Sequence, residues 1–428
     1  MLEFLKKNPI TYAMGHFVKE RYRDLVCLRN FREERNMPRG GGPVRVGFLC
    51  QYIPAWQKVA PIYDKLRSDP RFEPFLICVP SEQVMEKESF TARAENDTYD
   101  YFISQGYDAI NALTGANSWL DLRELELSYL FYPRPYNHLL PEPYRTREVS
   151  RYCRICILMY GISFAQEDMH AALNRSFMAH VYYYFAEFPF TREENRRINP
   201  LPHALKWQKS ECLGLPVLEA LRGKKEHVSE AWDFSRNDFR VIWTPRWTTD
   251  KAQGGSNFFT YYQALLAFAR ENPDVDFLHR PHPLALTHFQ QTGELTPEQA
   301  AAYVEACREL PNVKMDNLPE YEATLWGSSV LVSDISGIMV EYFSTGKPII
   351  FCITNMELDL APYFIRMLEG CYVVHSQQEL FDTLRVLKNG EDPLAQTRQT
   401  IIQELFEDLQ ASPSARIVEA LAEDSLRK

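Results

Sequence analysis

A stretch late in the sequence combines acidic, hydroxyl and glycine residues in an order that suits phosphate binding. Residues 330–351 read as a strand, a turn of small residues, a helix and a second strand. Ser336 and Gly337 stand where the helix begins, so a hydroxyl and a free backbone amide would hold a phosphate there, with Asp334 capping the helix. Glu341, about one turn further on, would accept hydrogen bonds from ribose hydroxyls. The same pattern is also typical of a well-capped turn that binds nothing.

Cationic side chains follow two other predicted strands. Arg246 comes after the strand at 240–244, and Arg280 and His282 come after the strand at 275–279. Arginine and histidine donate strong hydrogen bonds to pyrophosphate oxygens. These residues could also have no ligand. His282 would then lie on a rigid surface loop, and Arg246 would only border the core.

A general base is expected near a strand end in the first half of the chain, because an acceptor hydroxyl must lose its proton when it attacks. Tyr160 ends the strand at 155–159, and Asp168 and His170 follow closely. Tyrosine is a poor base at its ordinary pKa of about 10, and a tyrosine at a strand end is often structural. All three residues are candidates.

Several familiar motifs are absent from the sequence. It has no P-loop, no GxGxxG after the first strand, no HExxH and no GxSxG. Nucleotide hydrolysis through a P-loop and serine-hydrolase chemistry are therefore disfavoured. Cys153 and Cys156 have CxxC spacing without a second pair, which favours buried strand cysteines over zinc ligands. We expect no metal site.

The candidate residues sit on an α/β framework. Continuous apolar strands alternate with helices up to about residue 184, and the pattern restarts near residue 240. Such strands predict parallel sheets covered on both faces. We predict two Rossmann-like domains, at 43–223 and 224–394, that face a cleft. A helical leader and linker at 1–42 precedes them, and a helix at 395–428 is expected to pack back on the first half.

The leader differs in charge from the rest of the chain. Residues 1–40 hold nine Lys/Arg and five Asp/Glu, whereas the 428-residue chain has a net charge of −10. A basic amphipathic helix at 1–36 would lie on an anionic membrane surface or pack on the following domain. We expect no membrane span, no secretion signal and a cytoplasmic protein. The acidic balance argues against nucleic acid as a partner.

Taken in order, these motifs resemble the CDP-glycerol glycerophosphotransferase family, the polymerases and primases of teichoic acid. The resemblance covers roughly residues 150–390. It lies in Gly214-Leu215-Pro216, Thr244-Pro245-Arg246-Trp247, Arg280-Pro281-His282-Pro283, Asp334-Ile335-Ser336-Gly337, Glu341 and Lys347-Pro348-Ile349-Ile350-Phe351.

The resemblance implies a GT-B fold, with the nucleotide held mainly by the second domain. It implies that His282 binds the donor pyrophosphate and stabilises its developing charge, that Ser336 and Gly337 hold phosphate, and that Glu341 meets the ribose. Tyr160 stands where the family carries its proposed base, a histidine, so Asp168, His170 or another residue that the sequence does not identify would have to substitute.

Three functions follow from this resemblance. The first is transfer of a polyol phosphate from a CDP-activated donor such as CDP-glycerol to a hydroxyl of a lipid-linked, cell-envelope glycan or teichoic-acid-like acceptor. The second is glycosyl transfer from a UDP- or CDP-sugar, and the third is nucleotide-sugar binding without catalysis. The first implies no tightly bound cofactor and activity in the cytoplasm, at the inner face of the membrane.

Overall fold

A computed structural model describes residues 9–34, 42–81, 95–173, 176–224, 228–316, 321–406 and 411–426. These residues divide into two compact units. The first comprises the described residues of 1–160, 169–216 and 412–428, and the second those of 161–168 and 217–411. The predicted boundary lies at 223/224, with all of 395–428 predicted to pack on the first half.

The strands are short and mostly buried, as expected of sheets that are covered on both faces. In chain order they are β1 Val44–Cys50, β2 Phe72–Cys78, β3 Ala109–Asn111, β4 Leu113–Gly115, β5 Ser118–Trp119, β6 Tyr129–Tyr132, β7 Arg154–Leu158, β8 Val181–Phe185, β9 Lys209–Glu211, β10 Arg240–Thr244, β11 Asp276–His279, β12 Val313–Met315, β13 Val330–Ser333, β14 Ile349–Cys352 and β15 Tyr372–Val374.

The helices fill the connections between these strands. They are α1 Pro9–Glu34, α2 Ala60–Arg67, α3 Asp97–Ser104, α4 Thr146–Val149, α5 Gln166–Leu173, α6 Pro189–Ile198, α7 Pro200–Ala204, α8 Val217–Gly223, α9 Val228–Ala231, α10 Phe258–Glu271, α11 Ala285–Gln291, α12 Pro297–Arg308, α13 Glu322–Gly327, α14 Gly337–Phe343, α15 Pro362–Leu368, α16 Gln377–Lys388, α17 Ala395–Leu405 and α18 Pro413–Leu426.

The first unit contains a parallel sheet of seven strands in the order β3-β2-β1-β6-β7-β8-β9. Its central strands are mostly apolar, and β7 is buried along its whole length. Cys153 and Cys156 lie at this strand, and burial raises the pKa of both thiols. Both are buried free cysteines, as predicted from their CxxC spacing without a second pair.

The second unit contains a parallel sheet of six strands in the order β12-β11-β10-β13-β14-β15. The second sheet therefore has the 3-2-1-4-5-6 strand order of a Rossmann fold, and the first, apart from the small β4-β5 hairpin, has the same order with a seventh strand added after the sixth. The prediction of two Rossmann-like parallel sheets is confirmed. Ligands of such sheets bind beyond the carboxyl ends of the strands, where the strand order reverses. That point lies between β1 and β6 in the first unit and between β10 and β13 in the second.

Helix α1 shows one packed and one exposed face. Val26 and Cys27 are buried, whereas Phe17, Val18 and Leu25 are each more than 60% exposed. The residues of the predicted leader at 1–8 and 35–41, including most of the linker, lie outside the described part of the chain. No helix in the described ranges is long and apolar enough to cross a membrane.

The C-terminal region forms two helices rather than the single helix expected. α17 belongs to the second unit and α18 to the first. Helix α18 begins at Pro413, a residue favoured in the first helical turn because its missing N–H needs no partner there. Tyr129 and Tyr182 both donate hydrogen bonds to Asp424 near the end of α18, at 2.6 and 2.9 Å, and Lys209 forms an ion pair with the same carboxylate. These contacts fasten α18 to the first sheet.

Candidate active site

Arg246 leaves the carboxyl end of β10 at the point where the second sheet reverses its strand order. Its backbone N–H donates to Asp334 Oδ2 at 3.1 Å, and its Nη1 donates to the carbonyl oxygen of Ile335 at 3.0 Å. These bonds tie the loop after β10 to the loop after β13. Burial lowers the pKa of Arg246, while the carboxylates of Asp334 and Asp168 oppose that change. The guanidinium is thus half-buried, and its Nη1 is held by the Ile335 carbonyl.

Asp334 joins the loop after β13 to the loop after β10, a contact that we call the clamp around Arg246, and it does not cap the following helix. Its Oδ2 also accepts from the Ser256 hydroxyl at 3.2 Å and from the Asn257 backbone N–H at 3.0 Å. Burial raises the pKa of Asp334 to about 6, and the hydrogen bonds from Asn257, Arg246 and Ser256 oppose the rise. Sequence reasoning missed Ser256 and Asn257, although their place between Gly255 and the start of α10 is a signal for a turn.

Arg280 faces inward from the end of β11. Its Nη1 lies 2.6 Å from Asp316 Oδ2, and its guanidinium lies over the Tyr321 ring at 5.3 Å from the centroid. Tyr321 in turn donates to Glu341 Oε2 at 2.8 Å. Glu341 is 4% exposed. Arg280 and Glu341, both expected to touch the donor, are therefore joined through Tyr321 in a largely buried network.

His282 stands two residues further along the same loop and is exposed. Its Nδ1 accepts the Leu284 backbone N–H at 3.2 Å, so the neutral ring carries its proton on Nε2 and can donate from there. The neighbouring protein displaces water from the ring, and Arg246 disfavours a second positive charge. Together they lower the pKa of His282 to about 4. At neutral pH the imidazole is a neutral hydrogen-bond donor.

Ser336 and Gly337 open α14, as predicted. Ser336 is the N-cap residue, with extended backbone angles of −156° and 146°, but its side chain makes no capping bond to the helix. A Cβ added to Gly337 would meet no atom within 4 Å. The serine hydroxyl and the space over the glycine are both available to a ligand. Arg246, His282 and Ser336 thus lie at the carboxyl edge of adjacent strands, because β10 pairs with β11 and with β13 in register.

The three candidate bases differ in their surroundings. Tyr160 is half-buried, and burial followed by its interaction with Tyr136 raises its pKa to about 12. His170 Nε2 lies 3.0 Å from Glu194 Oε2. Asp168 is exposed in the first turn of α5, and no hydrogen bond or ion pair joins it to another described residue.

The segment that carries Asp168, residues 161–168, is bound into the second unit. Ala165 forms an antiparallel bridge with Leu360. The Gln166 N–H donates to the Asp359 carbonyl at 2.8 Å, and the Phe164 ring packs on Phe364 at 4.7 Å. Asp168 is therefore fixed to the same unit as Arg246, whose pKa its charge raises.

Comparisons with known proteins agree with this architecture. The family model described as CDP-Glycerol:Poly(glycerophosphate) glycerophosphotransferase matches residues 202–423, about half of the chain. No curated protein sequence matches.

Solved structures match the fold over most of the chain at low sequence identity. UDP-GlcNAc 2-epimerase from Neisseria meningitidis bound to UDP-GlcNAc is 15% identical, with a TM-score of 0.60 over 89% of this chain and 100% of that one. The wall teichoic acid polymerase TagF, in a variant soaked with CDPG, is 13% identical, with a TM-score of 0.53 over 96% of this chain and 98% of that one. These likenesses confirm the expected GT-B-like fold.

Proposed function

Because the chain belongs to the CDP-glycerol:poly(glycerophosphate) glycerophosphotransferase family, we propose that its donor is CDP-glycerol or a similar CDP-polyol. The acceptor in this proposal is a hydroxyl of a lipid-linked, cell-envelope glycan or teichoic-acid-like chain. The observation that carries the donor proposal is the placement of Arg246, His282 and Ser336 at one edge of the second sheet. This edge offers one fixed positive charge and two neutral donors to a pyrophosphate.

The reaction needs little covalent chemistry from the protein. The acceptor oxygen attacks the phosphorus that bears the glycerol, and the bond from that phosphorus to the bridging oxygen breaks. CMP leaves with the bridging oxygen and its electron pair, and the acceptor proton passes to a base. Arg246 and the Nε2–H of His282 stabilise the charge that grows on the leaving phosphate. Ser336 and the Gly337 amide orient the donor.

We assign the base role to Asp168. Tyr160 is protonated at neutral pH because its pKa is about 12, and His170 is engaged by Glu194. Asp168 is exposed and lies near enough to Arg246 for its charge to act on that side chain. A carboxylate that removes the proton as the bond to phosphorus forms contributes typically 10²–10⁴-fold.

Glycosyl transfer from a UDP- or CDP-sugar is the second candidate function. The observation that favours it is Tyr160, since the family's usual base is absent there. The two functions differ in the nucleotide released, which is CMP for phosphoryl transfer and a nucleoside diphosphate for glycosyl transfer.

Donor choice is tested by calorimetric titration with CDP-glycerol, CDP-ribitol and UDP-GlcNAc. We expect the CDP-polyols to bind more tightly than the UDP-sugar, and His282→Ala to weaken that binding and abolish turnover. Tighter binding of UDP-GlcNAc would favour glycosyl transfer. If none of the three nucleotides bound, both proposed transferase activities would be rejected.

The exposed face of α1 supports a site of action at the inner face of the membrane. Phe17, Val18, Tyr22, Leu25 and Leu28 are exposed along a helix in a leader that is rich in Lys and Arg. Apolar side chains would enter the lipid while the basic groups meet anionic headgroups. Leu25→Glu should reduce sedimentation with anionic vesicles, and Ile103→Glu, which changes an exposed residue of α3, should not. Equal sedimentation of the two variants would reject this role of α1.

A further inference from the structure

Trp247 is an aromatic residue at the carboxyl edge of the second sheet that the proposed reaction does not use. It follows Arg246 in the loop after β10, a strand that lies between β11 and β13. The two side chains contact different neighbours. Arg246 bonds to Ile335 in the loop after β13, whereas the Trp247 ring lies beside His282 in the loop after β11. One loop therefore contacts the loops on both sides of it.

The Trp247 ring lies near two histidines that follow β11. Its centroid is 6.3 Å from that of His282, and the two planes are tilted by 42°. On α11 it meets the His288 ring edge-on, with 4.7 Å between the centroids and 76° between the planes. The indole thus neighbours the imidazole to which the proposed reaction assigns charge stabilisation.

Trp247 is held in place by its own surroundings. Its half-buried ring packs against the hydrophobic core of the second unit. Thr248, the next residue, is buried, and its Oγ1 accepts the Asp250 N–H at 3.2 Å. The Thr249 hydroxyl donates to Glu294, which lies beyond α11. A side chain anchored in this way can restrain a neighbour that has fewer contacts.

The backbone of His282 is held more firmly than its ring. The His282 N–H donates to the Pro245 carbonyl at 3.3 Å, and its carbonyl accepts the Ala285 N–H at 2.7 Å. Within the described part of the chain, the ring has one hydrogen bond, from the Leu284 N–H to Nδ1 at 3.2 Å. A ring held at one nitrogen can still tilt about that nitrogen, and tilting would move Nε2 and its proton. The Trp247 ring lies beside it and limits that movement.

We propose that Trp247 is a positioning residue, which holds the His282 ring at the angle at which Nε2–H meets the donor phosphate and takes no part in making or breaking bonds. The inference rests on the proposed function, since it deepens the role given there to His282. It has two measurable consequences. Loss of the Trp247 ring should weaken donor binding only while His282 is present, and it should let water reach the imidazole.

A double-mutant cycle measures the first consequence. Calorimetric titrations with CDP-glycerol are done at pH 8, where the His282 ring is neutral. We expect Trp247→Leu to weaken binding about fivefold to tenfold when His282 is present, because the donor hydrogen bond is then misplaced. In the His282→Ala background, the same change should weaken binding less than about twofold. Trp247→Phe keeps an aromatic ring and should recover most of the affinity.

Phe381→Leu is the matched control for this cycle. Phe381 packs against the same hydrophobic core as Trp247, but it lies on α16 and stacks on Phe268 at 4.6 Å. The substitution removes a ring from that core without touching His282. CDP-glycerol should bind to this variant as it does to the unmodified protein.

Nitrogen-15 NMR of the ring nitrogens in the free protein measures the second consequence. The pKa of His282 is about 4, because the neighbouring protein displaces water and Arg246 disfavours a second positive charge. We expect Trp247→Leu to raise this pKa by about one unit or more, toward the ordinary value of histidine. Phe381→Leu should leave it unchanged.

Unchanged donor affinity in Trp247→Leu, or an equal loss with and without His282, would overturn the proposal, since the latter is the result expected of general packing. An unchanged pKa of His282 in Trp247→Leu would overturn it as well. Failure of the proposed function looks different, because the unmodified protein would then release no CMP from CDP-glycerol while the pKa of His282 still rose in Trp247→Leu.

Discussion

Donor binding should be coupled to proton uptake by His282. In the free protein the pKa of this ring is about 4, so it is neutral at pH 5–8. A donor phosphate at about 4 Å would favour the charged ring by about 4 kcal/mol at an effective dielectric constant of 20. Protonation of Nδ1 sacrifices the bond from the Leu284 N–H, which costs about 1 kcal/mol. The net of about 3 kcal/mol raises the pKa by about 2 units, to about 6.

The sign and size of the pH effect follow from these two pKa values. Because the pKa is higher in the complex, binding is strongest below the free pKa and weakens as the pH rises toward the bound pKa of about 6. CDP-glycerol should therefore bind about tenfold more tightly at pH 5 than at pH 8. CDP-glycerol is the right probe since, unlike CDP, it has no terminal phosphate that titrates in this range.

Titration calorimetry at both pH values measures the effect. His282→Gln keeps a donor group but cannot take up a proton, so it should lose most of the tenfold change; Asp334, whose pKa is about 6, still titrates in this variant. His288→Gln is the matched control, because His288 packs on Trp247 at 4.7 Å, and it should behave like the unmodified protein. Equal affinity at pH 5 and pH 8, or a tenfold change that survives in His282→Gln, would refute the reasoning.

Three further predictions address the base, the C-terminal helix and the clamp around Arg246. Asp168→Asn should lower kcat by about 100-fold or more and leave the KM for CDP-glycerol unchanged, measured by CMP release; an unchanged kcat would remove the base assignment. Asp424→Ala leaves Lys209 and two tyrosine hydroxyls without their carboxylate, so urea denaturation should show a loss of about 3–5 kcal/mol in the free energy of unfolding. Gly254→Ala should cost about 1–3 kcal/mol and weaken donor binding, because Gly254 has φ of +100° and its Cβ would come within 3.3 Å of the Arg246 side chain. Gly106→Ala, with φ of +80° in open space, should leave donor binding unchanged.

Local sequence was sufficient to predict which residues stand at strand ends. Short strand-like runs with two or three consecutive apolar residues marked β10, β11 and β13, and the polar residues that follow such runs in parallel strands must share one edge of the sheet. That reasoning predicted the positions of Arg246, His282 and Ser336, which the structure brings to that edge.

Local sequence could not predict which of these residues face a ligand and which support the others. Arg280 looked like a donor contact, but its partner Asp316 lies 36 residues further along the chain. Asp334 likewise meets Ser256 and Asn257 across more than 70 residues. Such pairings depend on the packing of separate loops, for which hydrophobic periodicity carries no signal.

No signal in the sequence indicated that residues 161–168 belong to the second unit. This segment follows β7 of the first sheet, and its contacts with Leu360 and Phe364 are made by an extended stretch without periodicity. The break before α18 was different, because Ser412-Pro413 is an ordinary helix start that could have divided the predicted C-terminal helix.

The fate of the donor phosphates tests the central claim of phosphoryl transfer most directly. Phosphorus NMR can follow CDP-glycerol incubated with the protein and a lipid-linked glycerol phosphate primer. We predict one CMP for each new phosphodiester joined to the primer. Release of CDP, or donor signals that stay unchanged in the presence of the protein and the primer, would contradict it.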